Sequence, residues 1–417
     1  MTENLENEFE QDFLKPFINY DTHEIKISKY YWKELNEKYS IDEIKDCFVK
    51  HIFNGDIGLP MTQISEKEAF NDFKELCCMS PLKLCQGKTY TKAEYKYPIS
   101  NLFFNQSTVG NKASNYFQQY NRMCCAGPAH LAPTEVWKRE KSIRSVLSPL
   151  WTLKMEDVNT TRLMSCIALR SYIASQFKPI IAKSIYALFG GKKILDTSSG
   201  WGDRLCGFFA TEGTEEYMGV DPNTALHPKY KEQIEMYQKI YPNKKANIVC
   251  DGAEYVDYPQ NYFDLCFTSP PYFKAEKYST DEKQTYLKYS SQQNWLEGFL
   301  YVMLKKAWNS LKDGGYLIIN ISDIYDTTFS DRPRFHICDP MTDYVINELK
   351  GSYVGCIGMR LSSRPNMQSV TDIDTEDSAF IEPVWVYYKG SLDNLDKHDV
   401  KSWILNGKVE EMTLFDF

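Results

Sequence analysis

One stretch of the chain has residue types and spacing that can do chemistry: Phe263-Asp264-Leu265-Cys266-Phe267-Thr268-Ser269-Pro270-Pro271-Tyr272. Leu265, Cys266 and Phe267 form a short apolar run, as expected of a parallel strand covered on both faces. Two prolines then stop it, because neither can donate a ladder hydrogen bond. The pattern predicts a rigid turn at the carboxyl end of a buried strand, where open α/β sheets place their ligands. Ser269 supplies a hydroxyl, each proline leaves a carbonyl free to accept, and Tyr272 offers a flat face for a planar ring. Two acceptors and a stacking ring can hold an aromatic amino group with its nitrogen lone pair aimed at an electrophile.

Upstream elements must position that turn and its second reactant. Lys193-Ile194-Leu195-Asp196 reads as a short strand, Thr197-Ser198-Ser199-Gly200-Trp201-Gly202 as a small-residue turn, and Asp203 onward as a helix. Gly200 and Gly202 let the backbone pass close to a ligand. The third glycine of a dinucleotide fingerprint is missing, since Leu205 stands there. Tyr217 to Asp221 makes a second strand whose terminal acid, about 20 residues after the glycines, is placed to bind two ribose hydroxyls. A third strand runs from Ala246 towards Asp251 and Gly252. Any one of these aspartates could be a turn or cap residue. Three strand-end acids in order, followed by Ser-Pro-Pro-Tyr on a fourth strand, are hard to obtain from turn chemistry alone.

Ser269-Pro270-Pro271-Tyr272 resembles the catalytic tetrapeptide of the DNA amino-methyltransferases, which transfer a methyl group from S-adenosylmethionine to the exocyclic nitrogen of cytosine or adenine. The resemblance is strong over about 175–325 and weaker to about 390. It implies a doubly wound α/β sheet of the Rossmann-like methyltransferase type. It also implies that Asp196 meets the cofactor's amino-acid portion, that Ser199, Gly200, Trp201 and Gly202 line its turn, and that Asp251, with Gly252, meets the adenine amino group. Phe177, before Lys178-Pro179, matches a family position beside the methionine part and equally suits a core phenylalanine. Trp201, where the family often has serine, is placed to cover the cofactor. The target base would be flipped from the duplex. Serine at the first tetrapeptide position favours cytosine N4, with adenine N6 the alternative. An RNA or protein-amide methyltransferase is a further reading, although those tetrapeptides commonly begin with Asn or Asp. A non-catalytic nucleic-acid-binding module on the same fold would show eroded motifs, and here they are intact.

The whole chain bounds these readings. Its 417 residues, 43% hydrophobic and 25% charged, suffice for a sizeable core. No apolar run is long enough to span a membrane. The polar, acidic Met1 to Glu10 does not read as a signal peptide, and 12 scattered cysteines read as reduced thiols, so an intracellular setting is expected, cytoplasmic or nuclear. The adjacent pairs Cys77-Cys78 and Cys124-Cys125, with Cys85 and His130, lack zinc-knuckle spacing, and no metal is expected.

Net charge is −8, but residues 86–193 carry 16 Lys/Arg against five Asp/Glu. That block suits either a phosphate-binding face or a solvated helical surface. Residues 86–125 interleave cations, aromatics and amides, including Phe103, Phe104 and Gln118, and suit either nucleic-acid contact or a Tyr-rich packed domain. The expected division is a mainly helical region 1–150 bearing DNA recognition, a methyltransferase domain 151–390 and a charged tail 391–417. The candidate DNA contacts are Lys138, Arg139, Lys141 and Arg144, with Arg360 and Arg364. Residues 160–189 have one helical period across Pro179, and the polar segment after Tyr272 reads as a lid.

Overall fold

The computed structural model describes residues 12–87, 95–127, 130–275, 277–325, 334–360, 381–395 and 400–406. It divides into two compact units. Their boundaries differ from a single cut near residue 150. One unit takes Met1–Gln63, Gln119–Ser175 and Glu276–Tyr278; the other takes Ile64–Gln118, Gln176–Ala275 and Ser279–Phe417.

The first unit is mainly helical, with one small hairpin of β1 (Ile18–Asn19) and β2 (Glu24–Ile25). Helix Ile41–Phe53 starts at a capping box, in which Ser40 and Glu43 satisfy each other's free backbone N–H groups. Its apolar face, with Ile44, Phe48 and Ile52, joins Ile143 and Leu147 of helix Glu140–Leu147 and Ile167 of helix Thr160–Arg170 in one buried cluster.

The second unit is built on a nine-stranded sheet. Its members are β3 (Cys85–Gly87), β4 (Leu102–Phe104), β5 (Lys193–Asp196), β6 (Glu216–Val220), β7 (Lys245–Val249), β8 (Phe263–Thr268), β9 (Leu311–Asn320), β12 (Ser352–Arg360) and β13 (Ile381–Tyr388). A separate pair is β10 (Ile324–Tyr325) with β11 (Arg334–Phe335). The order across the large sheet is β3-β4-β12-β13-β9-β8-β5-β6-β7. Strands β9, β8, β5, β6 and β7 are parallel, and β13 enters antiparallel between β9 and β12. From β5 the chain winds outward through β6 and β7, then returns to β8 on the other side of β5. This is the expected doubly wound, Rossmann-like sheet, with its switch point between β5 and β8.

The apolar run of β8 explains the layers. Leu265 and Phe267 face a cluster with Ile180, Ile185, Leu205 and Phe208 from helices Pro179–Phe189 and Asp203–Ala210. Cys266 faces the opposite cluster, with Met303, Leu304 and Ala307 of helix Tyr301–Ser310. Period-two alternation thus buries both faces of one strand.

Three sequence expectations change. The single helical period over 160–189 divides into helices Thr160–Arg170 and Pro179–Phe189, because Pro179 has no N–H to continue a helix and takes a first-turn position instead. On sequence, Lys312-Asp313-Gly314-Gly315 reads as the glycine cap of an amphipathic helix ending at Leu311, but it caps none. It lies within β9, where the register with β8 jumps between the Phe263–Leu311 and Leu265–Tyr316 pairs. Residues 64–118 belong with the sheet unit. Strands β3 and β4 extend its edge, Phe103 and Phe104 are core residues, and Gln118 is fully buried, so these three make no nucleic-acid surface.

Candidate active site at the carboxyl ends of the strands

Because β8, β5, β6 and β7 are parallel neighbours, the residues after each emerge along one edge of the sheet. Ser269 follows β8, Asp196 ends β5, Asp221 follows β6, and Asp251 lies just beyond β7. The sheet therefore places the four predicted motifs along a single edge.

Asp196 is buried and already satisfied. Arg204 donates to it from Nε at 2.8 Å and Nη2 at 3.2 Å, the Tyr217 hydroxyl donates at 2.6 Å, and the Ser198 N–H at 3.1 Å. Its carboxylate therefore anchors the turn from below, which differs from the expected direct contact with a ligand. Sequence reading did not single out Arg204, the second residue of helix Asp203–Ala210. Phe177 stands against this pair. Its ring meets Phe267 edge-on at 5.6 Å, and the Arg204 guanidinium lies 5.4 Å from its centroid.

The turn above is shaped by its glycines. Gly200 has φ +55° and Gly202 φ +73°, conformations in which a side chain is strained. A Cβ on Gly202 would come within 2.3 Å of Gln233 Oε1, whereas one on Gly200 would meet only the Ser198 carbonyl oxygen, at 3.9 Å. The Ser199 N–H donates to the Val220 carbonyl at 2.8 Å, tying the turn to β6. Trp201 is buried, and its carbonyl accepts from Gln233 Nε2 at 3.2 Å.

Asp221 is buried and accepts from the N–H groups of Gly200 and Asn223, each at 2.9 Å. Burial raises its pKa to about 7 against the pull of those two donors. Asp251 is partly exposed and lies 3.2 Å from Lys283 Nζ; the Gly252 N–H, first, and this ammonium hold its pKa down. Lys283 belongs to the expected lid segment, and Lys288 from the same segment lies 3.6 Å from the buried Glu254. Asp251 thus already has a partner from the segment that follows the tetrapeptide.

Tyr272 is half-buried rather than an open stacking face. Its hydroxyl donates to Glu382 of β13, with the Asn320 carbonyl at 3.4 Å. Burial, and then the Glu382 carboxylate, push its pKa well up, so it is a neutral phenol. Sequence reading missed Glu382, for which no local motif exists.

The candidate nucleic-acid cations divide. Lys138 and Arg139 both reach Glu135, at 3.0 and 3.8 Å, and Arg144 pairs with Glu140 at 2.9 Å and with Asp46. Lys141 is exposed. Arg360, at the end of β12, reaches Asn105 Oδ1 at 3.3 Å, and Arg364 lies outside the described residues. Among the described residues, the side chains with metal-ligand spacing are Asp12, Cys47 and His51. Cys77, Cys78, Cys85, Cys124, Cys125 and His130 are not among them.

No family model matches the chain, and no curated protein matches it. Among solved structures, it is similar to an S-adenosylmethionine-dependent O-methyltransferase from Thermotoga maritima, with 10% identity, 58% of this chain and 71% of that one covered, and a TM-score of 0.31. A putative S-adenosylmethionine-dependent methyltransferase from Listeria monocytogenes gives 14% identity, 50% and 97% coverage, and a TM-score of 0.29. A chain of the complex between the Trm112 methyltransferase activator and a putative methyltransferase from Haloferax volcanii gives 11%, 50% and 90%, and 0.32. All three likenesses are faint. The doubly wound fold rests on this chain's own strand order.

Proposed function

We propose that the protein is an S-adenosylmethionine-dependent methyltransferase acting on an exocyclic amino nitrogen of a flipped DNA base, with cytosine N4 favoured over adenine N6. One observation carries this reading: the Ser269–Tyr272 turn and the Gly200/Gly202 turn end neighbouring parallel strands, β8 and β5, at the switch point of the sheet. The residues fit the cofactor. Gly200 leaves the space a Cβ would fill, and the Asp221 carboxylate beside it can accept from ribose hydroxyls. When bound, the cofactor supplies an electrophilic methyl group on a sulfonium sulfur.

This chain's residues do the rest. Ser269 and the Pro270 carbonyl accept from the amino group and direct its lone pair, while Pro271 stiffens the turn. Positioning of this kind supplies much of the catalysis when reactants are held in line. Asp196, clamped by Arg204 and Tyr217, fixes the cofactor turn relative to the strands. Preference for cytosine rests on Ser269, through the resemblance of the tetrapeptide.

The test is incubation with methyl-labelled cofactor and mixed DNA and RNA, followed by nucleoside mass spectrometry. Label in N4-methylcytosine of DNA is the expected result. Label in N6-methyladenine alone would reverse the base assignment, label in RNA alone would replace the substrate class, and no label would remove the reading.

A further inference from the structure

Glu382 has no counterpart in the scheme above. Strand β13 runs antiparallel to β9, with Val384 opposite Asn320, so the first residues of β13 emerge at the same edge as the carboxyl end of β8. There the Tyr272 hydroxyl donates to the Glu382 carboxylate. The Ser269 hydroxyl, three residues earlier in the same turn, is near enough to favour the ionised form of that tyrosine. A tyrosine hydroxyl has one proton to give and can still accept, so Ser269 can donate to Tyr272 while Tyr272 donates to Glu382. The Tyr272–Glu382 bond is the formed half of such a path from the reacting edge to a carboxylate, and a turn of the Ser269 hydroxyl towards Tyr272 completes it.

Among the described residues no cation pairs with Glu382, and its one electrostatic partner is Tyr272. Arg360 of β12 extends to Asn105. Asp323 is 3.0 Å from Arg334. The Cys338 thiol, near Tyr272, is pushed well up by burial and stays neutral. Glu382 is half-buried, and a partly desolvated carboxylate with a phenol as its partner is the kind of group that concentrates at functional sites.

We propose, resting on the amino-methylation reading, that Glu382 takes up the proton the amino nitrogen must lose, relayed through Ser269 and Tyr272. The nitrogen forms its bond to the methyl carbon as the methyl–sulfur bond breaks, and the sulfur keeps that electron pair. The nitrogen, now positively charged, gives a proton to Ser269 Oγ. Ser269 passes its own proton to the Tyr272 oxygen, and Tyr272 passes its proton to Glu382, which becomes a neutral carboxylic acid. Serine, unlike the aspartate found in related tetrapeptides, cannot hold that proton itself near neutral pH, so a remote acceptor is needed. Burial raises the pKa of Glu382, which suits an acceptor better than an ordinary surface glutamate.

The test uses single-turnover methylation by the full chain, with duplex DNA and cofactor both saturating, across pH 5 to 9. Wild type should lose rate towards acid as Glu382 becomes protonated. Glu382→Gln and Tyr272→Phe should each lower the plateau rate by about 10²-fold, the lower end of general-base contributions. Both should also lose the acid limb while binding cofactor normally. Tyr272→Phe keeps the ring, so it separates the relay from packing, and Glu382→Asp should restore part of the rate with its acid limb. A lower rate with an unchanged acid limb in both variants would overturn the relay and leave Glu382 a structural support. Wild-type rates in both would overturn it outright. A wild-type protein that methylates no amino nitrogen would overturn the functional reading, and the relay with it, before any variant is compared.

Discussion

Asp221 is the residue at which ionisation and the proposed cofactor binding would meet. In an unfolded chain its pKa is near 3.8, and in the folded protein burial raises it to about 7. Between those values the folded state holds a proton that the unfolded state has released. Asp221 therefore lowers stability progressively as pH rises from about 4 to 7, and its cost is constant above that. Ribose hydroxyls donate to the ionised form, so the proposed cofactor should bind more tightly as pH rises and level off above about 7. Titration calorimetry with S-adenosylhomocysteine from pH 5.5 to 8.5 should show affinity falling up to tenfold per unit on the acid side. Asp221→Asn should bind weakly, without that slope; the same slope in the variant would place the titrating group elsewhere. The position of Asp221 was legible because a strand-end acid after a glycine turn is a local pattern. Glu382 was not, because only the antiparallel entry of β13 brings it to Tyr272.

Among the elements, the β5 turn and the helix after it act as one unit through the Asp196–Arg204 pair. Both side chains are almost wholly buried, at 0% and 5% exposure, so neither can recover water if its partner is lost. Arg204→Met should cost about 3–5 kcal/mol of stability, because it leaves Asp196 buried with only Tyr217 and one backbone N–H. Adding Asp196→Asn should recover part of that loss by removing the unpaired charge. Urea unfolding of the single and double variants measures both effects. A cost below about 1 kcal/mol for the single variant would mean the pair behaves like a surface ion pair. The strands of this region were legible from short apolar runs ended by acids or prolines. Strands β3 and β4 were not, because strands of three residues leave too little pattern.

At the scale of the whole molecule, sequence charge and structural charge differ. Residues 86–193 carry a net of +11. Lys183, in that block, is buried and spent on the carbonyls of Leu76, Cys77 and Met79, each at 2.8 Å, so it caps a helix end instead of facing solvent. Around Lys141, three cations are tied to Glu135, Glu140 and Asp46. These exposed pairs are worth about 0–1 kcal/mol each, so exchanging a carboxylate for a phosphate costs little. The proposal that this stretch contacts DNA therefore survives the pairing, but with fewer contacts than the net charge suggests. If it is right, log affinity should fall linearly with log salt, at about 0.9 per phosphate neutralised on duplex DNA. Charge reversal at Lys138, Arg139 and Lys141 together should flatten that slope by about two to three, and weaken binding to unrelated sequences equally. Arg144 is left intact, because its bridge to Asp46 and Glu140 holds helix Glu140–Leu147 to helix Ile41–Phe53. A slope unchanged by the triple reversal, in a variant that still unfolds cooperatively, would move the DNA-binding surface away from this stretch.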